Sequence, residues 1–347
     1  SLSKEKVAHL WENLGMQQMR ISRFMKDRVM VSQDDSEEMT GEVEPLLLNS
    51  LFKTNFWREN SLFDFSRKEE EETLEISVFY AYDLEKNEPV CAVSYPRNCL
   101  DPVMYLNFED YYGIENGYIV KSKGFTDDEE KELFESEPDL HYIRLLDRDS
   151  AWIDAYKMYD FKEFLPGKSI ITFHKERCQE ENIWVYSYRD PLLALKDEEA
   201  WLQGVKKHGT YSFEKFDQAR QGFGAVVLES DLDLPPEYVY KAYVKSREIE
   251  MVMEHYRYGV GYDLFCMEDD VTVFANEFCN FLCALLTCRL INEFDDVDCL
   301  TKYSYGEIMT VLAKAKKFST DSIHWKLIEM EEEEIDLLKD LGLHSDF

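Results

Sequence analysis

Two β-prone runs, "LEISVFYAYD" (74–83) and "EPVCAVSYP" (88–96), stand on either side of the four residues "LEKN". Strands joined by so short a link pair antiparallel, so this stretch constrains the fold more than any other. An apolar run, "PLLLNSLF" (45–52), precedes the hairpin and reads as a buried strand. Four further segments follow it. "NCLDPVMYLNFEDYYG" (98–113) reads as a helix, and "GYIVKSKGF" (117–125) as a short apolar strand ending in a glycine turn. "TDDEEKELFE" (126–135) begins a second helix, with Thr126 and Glu129 spaced as a capping box, and "LHYIRLL" (140–146) reads as another strand.

The order strand, strand, strand, helix, strand, helix, strand predicts a mixed sheet that contains a hairpin rather than a strict alternation of strand and helix. It suits an α/β (α+β) chain of RNase-H-like fold, a mixed sheet flanked by helices, in which the middle of the first strand lies beside the end of the fourth. Residues 4–30, with Val7, Leu10, Leu14, Met19, Ile21 and Phe24, fit two amphipathic helices broken near Gly15, and "VSQDDSEEMTGEVE" (31–44) reads as a polar linker. After residue 160 the β-prone runs "KSIITFHK", "NIWVYSY" and "GFGAVVLES" surround a charged helical stretch, "LLALKDEEAWLQGVKK", which suggests an inserted subdomain. "DLPPEYVYKAYVKSREIEMVMEHYR" (233–257) then places two prolines ahead of a helix. The expected division is a helical segment over 1–40, a first part of the core over 41–159, and a β-rich insertion over 160–229. A helix bearing Glu250 and the second part of the core fill 230–300, and a helical tail fills 301–347.

Charge narrows the partners. The chain has 39 Lys plus Arg against 71 Asp plus Glu, a formal net charge of -32, so its average surface repels phosphate backbones and anionic lipid. Contact with nucleic acid therefore requires a local basic patch. The eight cysteines form no CxxC pair, and Cys279, Cys283 and Cys288 sit at one-helix spacing, as small core residues of a reducing compartment do. The apolar run near residues 281–288 is short for a membrane span, and the start of the chain shows no signal-peptide pattern. A cytoplasmic protein without a membrane partner is the expectation.

One helix carries the chemical signal. Tyr243 stands seven residues before Glu250, Arg247 three before it and Arg257 seven after it. With "GFGAVVLESDLDLPPEYVYKAYVKSREIE" (222–250), "NEFCNFLCALLTCRL" (276–290) and "SYPRNCLD" (94–101), this resembles the bacterial insertion-sequence transposases of the DDE type that carry a Tyr-Arg-Glu-Lys signature around their last acid. Two departures are small. Arg247 is three residues from the acid where the family usually has four, and both offsets neighbour one helix face; Arg257 stands in for the family's Lys. Two departures are large. The resemblance places the other catalytic acids at Asn49, in "LLLNS", and at Ser122, in "IVKSKGF", and neither is an acid.

Enzymes of this kind are understood to cut and join DNA with two divalent ions. Mg²⁺, or Mn²⁺ in its place, keeps its waters unless anionic oxygen compensates it, and Asn49, Ser122 and Glu250 offer one carboxylate where the family offers three. The expected site is therefore degenerate: Glu250 alone as a metal ligand, weak or none, and no tightly bound cofactor. Asp64, Asp83, Asp101, Asp127 and Asp128 lie near the altered strands as alternative acids for a rebuilt site. Tyr243, Lys245, Arg247, Arg257 and Lys123 are the candidate DNA contacts, with Lys241 a further cation on the same helix. Pairing of these cations with Glu248, Glu250 and Glu254 is the competing reading. Three functions remain open: a transposase-derived binding or regulatory module acting on DNA, on a related transposase or on another protein; an active transposase with a rebuilt metal site; and an acidic interaction protein or DNA mimic. The resemblance implies a bacterial or archaeal protein, associated with the nucleoid where it binds DNA.

Overall fold

The structure is a computed structural model that describes residues 4–40, 45–55, 64–65, 74–96, 103–121, 140–148, 150–179, 183–208, 211–258, 270–315, 317–318, 326–327 and 330–343. Strands β1 (Leu46–Asn55), β3 (Leu74–Asp83) and β4 (Glu88–Pro96) form an antiparallel meander, and β5 (Gly117–Lys121) and β6 (Leu140–Leu145) run parallel to β1. The spatial order β4-β3-β1-β5-β6 is that of an RNase-H-like sheet. The short β2 (Asp64–Phe65) shares the outer edge of β3 with β4. Local chemistry closes the hairpin: Asn87 takes a left-handed φ of 51°, its side chain accepts the Tyr82 hydroxyl at 2.9 Å, and the Asp83 carboxylate accepts the Lys86 N–H at 2.9 Å.

The sheet does not stop at β6. Beyond it follow β10 (Ala225–Ser230), β9 (Ile183–Arg189), β8 (Lys168–Cys178) and β7 (Glu163–Leu165), all antiparallel to their neighbours, giving ten strands in all. The strands of residues 163–230 thus join the same sheet through the pairing of β10 with β6. A small core of Ile153, Met158, Val185 and Val227, built around α4 (Ala151–Ala155), covers one face here. On that face the register sets Arg144 opposite Glu229, and the two form an ion pair, with the Glu229 side chain almost wholly buried. Two helices, α5 (Pro191–His208) and α6 (Phe213–Gln221), connect β9 to β10; Gly224, at a φ of +66°, leaves no room for a side chain against the start of α5.

Helices cover the two faces of the meander differently. On one, Phe79 meets the rings of Tyr105 and Phe108 from α3 (Val103–Tyr112), and the Tyr105 hydroxyl donates to Ser50 at 2.9 Å. Helix α2 (Gln18–Thr40), which follows α1 (Lys4–Gly15), docks beside it through buried Met25 and Val29 and through Arg28, which grips Glu88 and two carbonyls of β4. The break near Gly15 is where the sequence placed it. The polar stretch from residue 31, expected as a linker, continues α2 to Thr40. Its polar side chains serve as tertiary ties: Ser32 donates to Asp83 at 2.6 Å, and Gln33 bonds both Gly113 and Glu115.

A second compact unit comprises residues 282–347. Its core of Phe294, Cys299, Ile308 and Leu337 joins the end of α8 (Asp270–Asp296) to α9 (Tyr305–Lys314) and α10 (Glu332–Asp340). Capping boxes Ser304–Glu307 and Glu331–Glu334 start α9 and α10. By length and composition α8 suffices to cross a membrane, which the run of apolar residues alone does not suggest; half of its most apolar window is buried in the protein.

Candidate functional site

Alternation along β1 decides which residues can meet. Leu47 is registered with Tyr118 of β5, and the Tyr118 ring packs edge-on against Tyr238 of α7 (Pro236–Tyr258) at 5.8 Å. Asn49, two residues on, therefore lies on the face that α7 covers, while Ser50 lies on the α3 face. Opposite Asn49 on β3 is the buried Tyr80. The Asn49 side chain is part-buried, and its amide oxygen accepts the Ser50 N–H at 2.8 Å.

α7 packs on β1, β5 and β9. Val239, Ala242, Ser246 and Ile249 form its buried stripe, at spacings of three, four and three. Position 250 follows Ser246 by four residues and Tyr243 by seven, so it flanks that stripe on the Tyr243 side. From Tyr238, whose hydroxyl donates to the Pro45 carbonyl at 2.7 Å, position 250 is about 18 Å along the helix axis. Asn49 is about 13 Å along the strand from Pro45, so the helix is long enough to reach past the middle of β1.

Three tyrosines fix the entry of α7. The Tyr186 hydroxyl accepts the Leu234 N–H at 2.9 Å and lies 3.1 Å from the carbonyls of Leu232 and Leu234. Tyr188 donates to the Pro236 carbonyl at 2.7 Å, and its ring packs on Tyr240 at 5.0 Å. Tyr238 supplies the third tie, to β1. Burial pushes the hydroxyls of Tyr186, Tyr188 and Tyr240 above the ordinary tyrosine range. The aromatic alternation in "NIWVYSY" carries the only sequence signal for this clamp. Tyr186 is thus a core residue, and Trp152 packs against the small core beside α4.

The remaining candidates fall as follows. Tyr243 and Lys245 lie on α7, both part-buried. Arg247, Glu250 and Arg257 are positions of α7 whose side chains lie outside the described residues, as do Ser122 and Lys123 altogether; β5 ends at Lys121, immediately before them. Lys241 pairs with Glu85 of the β3–β4 turn at 2.6 Å, an acid that is not on its own helix. Among the alternative acids, Asp83 is engaged by Ser32 and Lys86 at the end of β3, three residues beyond Tyr80, the partner of Asn49. Asp64 lies on β2, and Asp101, Asp127 and Asp128 are outside the described residues. Among the described residues, no three His, Cys, Asp or Glu side chains gather as a metal-binding group.

No family model matches the chain, and no curated protein does. Among solved structures, the chain is similar to the piggyBac transposase in a synaptic complex with hairpin DNA, at 10% identity and a TM-score of 0.35. The match covers 71% of this chain and 47% of that one, so the chain spans about half the length of the transposase. At that score the likeness carries neither a family nor a function.

Proposed function

We propose that the protein is a transposase-like module on an RNase-H-like sheet, one that has lost metal-dependent strand cleavage and works by binding DNA or a protein partner. The supporting observation is Asn49, an uncharged amide at mid-strand on the face under α7, with its oxygen already accepting a backbone N–H. On this reading the bacterial insertion-sequence group is the source of the fold, and Asn49, Ser122 and Glu250 are what remains of its triad. Such a donor set does not fit two divalent ions, since one carboxylate cannot offset their mutual repulsion. Incubation with supercoiled plasmid and Mg²⁺ or Mn²⁺ tests it. The wild-type chain should leave the plasmid intact, and the double variant Asn49→Asp, Ser122→Asp should nick it in a metal-dependent way. Nicking by the wild-type chain would overturn the proposal in favour of a rebuilt metal site.

A second reading draws on the charge. The net charge of -32 and the pairing of Lys241 with Glu85 favour an acidic surface that engages a basic protein in place of DNA. Binding of labelled duplex DNA separates the two. Retention that falls steeply with salt supports the DNA-binding module, and competition with DNA for a basic partner supports the mimic.

A further inference from the structure

Away from α7, a cavity of about 290 Å³ opens between α2, β4, the end of α3 and the first half of α8. Six rings line it: Tyr95 from β4, Tyr111 and Tyr112 from α3, and Phe274, Phe278 and Phe281 from α8. Ile21 and Met25 of α2 close it from the remaining side. We propose that this cavity is a binding site for a neutral aromatic ligand, of the size of a substituted naphthalene or indole, with one hydrogen-bonding group at the mouth.

Size, walls and charge each limit the occupant. A dry apolar cavity of about 150 Å³ takes up benzene, so one near twice that volume has room for a fused bicycle of about twelve non-hydrogen atoms. The wall rings are held by their own contacts. Tyr111 and Tyr112 meet edge to face at 4.9 Å, and Phe278 meets Phe24 in the same way at 5.7 Å, so ring faces and edges are presented to a guest in fixed orientations. Tyr111 is further pinned by the Lys26 ammonium, 4.2 Å from its ring centre. At the mouth, the hydroxyls of Ser22 and Tyr111 are 2.7 Å apart and exposed, with Gln18 beside them. They can exchange hydrogen bonds with a hydroxyl or an N–H. No Lys or Arg is among the lining residues, and the carboxylate residue there, Glu277, is buried. An anionic ligand would therefore leave water for apolar walls with no Lys or Arg among the lining residues to pair with it.

The test uses the whole chain, labelled with ¹³C at the methionine methyls. Met25 lines the cavity, whereas Met19 is 89% exposed and Met30 56% exposed, so they serve as internal controls. Titration with 1-naphthol should shift the Met25 methyl saturably and leave Met19 and Met30 in place, and 1-naphthoate should bind at least tenfold more weakly. Ile21→Trp, which fills the space, should abolish the Met25 response while the fold, checked by circular dichroism, is retained. A Met25 signal that stays fixed up to the solubility limit of 1-naphthol overturns the proposal, as does naphthoate binding as well as naphthol or unchanged affinity in a folded Ile21→Trp chain. Should that variant fail to fold, the wild-type titration still decides.

Discussion

Replacing Tyr238 by phenylalanine removes one oxygen atom and tests whether α7 is tied to the first strand. That oxygen donates to the Pro45 carbonyl at 2.7 Å and lies 3.3 Å from the Tyr118 hydroxyl. A net loss of about 0.5–1.5 kcal/mol is expected for the first bond. Pro45 is half-buried, so water can take over part of its carbonyl, while Tyr118 is fully buried and loses the contact without that relief. Together these give about 1–2 kcal/mol, or a drop of about 0.5 M in the urea midpoint. Tyr211→Phe, at an exposed tyrosine, is the matched control and should change stability by less than about 0.5 kcal/mol. The pair Tyr118→Phe and Tyr238→Phe should be non-additive by about 0.5 kcal/mol or more. If Tyr238→Phe unfolds at the same urea concentration as Tyr211→Phe, the hydroxyl does not hold the helix and the placement of α7 loses its main support.

Other perturbations reach separate parts of the fold. Gly224→Ala forces a side chain into a left-handed turn and to 2.3 Å from the Asp190 carbonyl oxygen; thermal melting should show a loss of more than about 2 kcal/mol. Glu229→Gln removes the charge facing Arg144 on the buried face of the sheet, and a cost of about 3–5 kcal/mol in urea unfolding is expected. In the unit of residues 282–347, the bonds of Glu334 to Lys314 and to the Glu331 backbone N–H hold its carboxyl below the ordinary value of 4.5, and the Ser304 N–H and hydroxyl do the same for Glu307. Carboxyls lowered by folding contribute stability above their unfolded value and lose it as pH falls through the folded one. Amide signals of α9 and α10 should therefore hold steady from pH 7 to 5 and weaken only below about 4.5; weakening between pH 7 and 5 would contradict this.

The meander was legible because its signals are local. The two β-prone runs and the short link "LEKN" each act over a few residues, and the mixed sheet follows from the order of strands and helices. The end of α2 was not legible, because Ser32 and Gln33 look like linker residues until the β3–β4 turn and the end of α3 supply their partners. For the same reason the sequence offers Lys241 the acids of its own helix, Glu248, Glu250 and Glu254, while the fold brings Glu85 to it from the hairpin turn. The place of Tyr186 beneath the entry of α7 depends on the pairing of β9 with β10, which is not a local pattern. Strand β1 and helix α7, which carry Asn49 and position 250, are both legible as elements in the sequence. The face shared by Asn49 and α7 required the register of β1 with β5 and the packing of Tyr118 on Tyr238.

Calorimetric titration of Mg²⁺ and Mn²⁺ into the full chain, beside the Asn49→Asp, Ser122→Asp variant, tests most directly whether this site has lost its metals. The wild-type chain should give no saturable heat at micromolar to low millimolar metal, and the variant should acquire a saturable isotherm. Two ions taken up tightly by the wild-type chain, with binding abolished by Glu250→Gln, would contradict a degenerate centre.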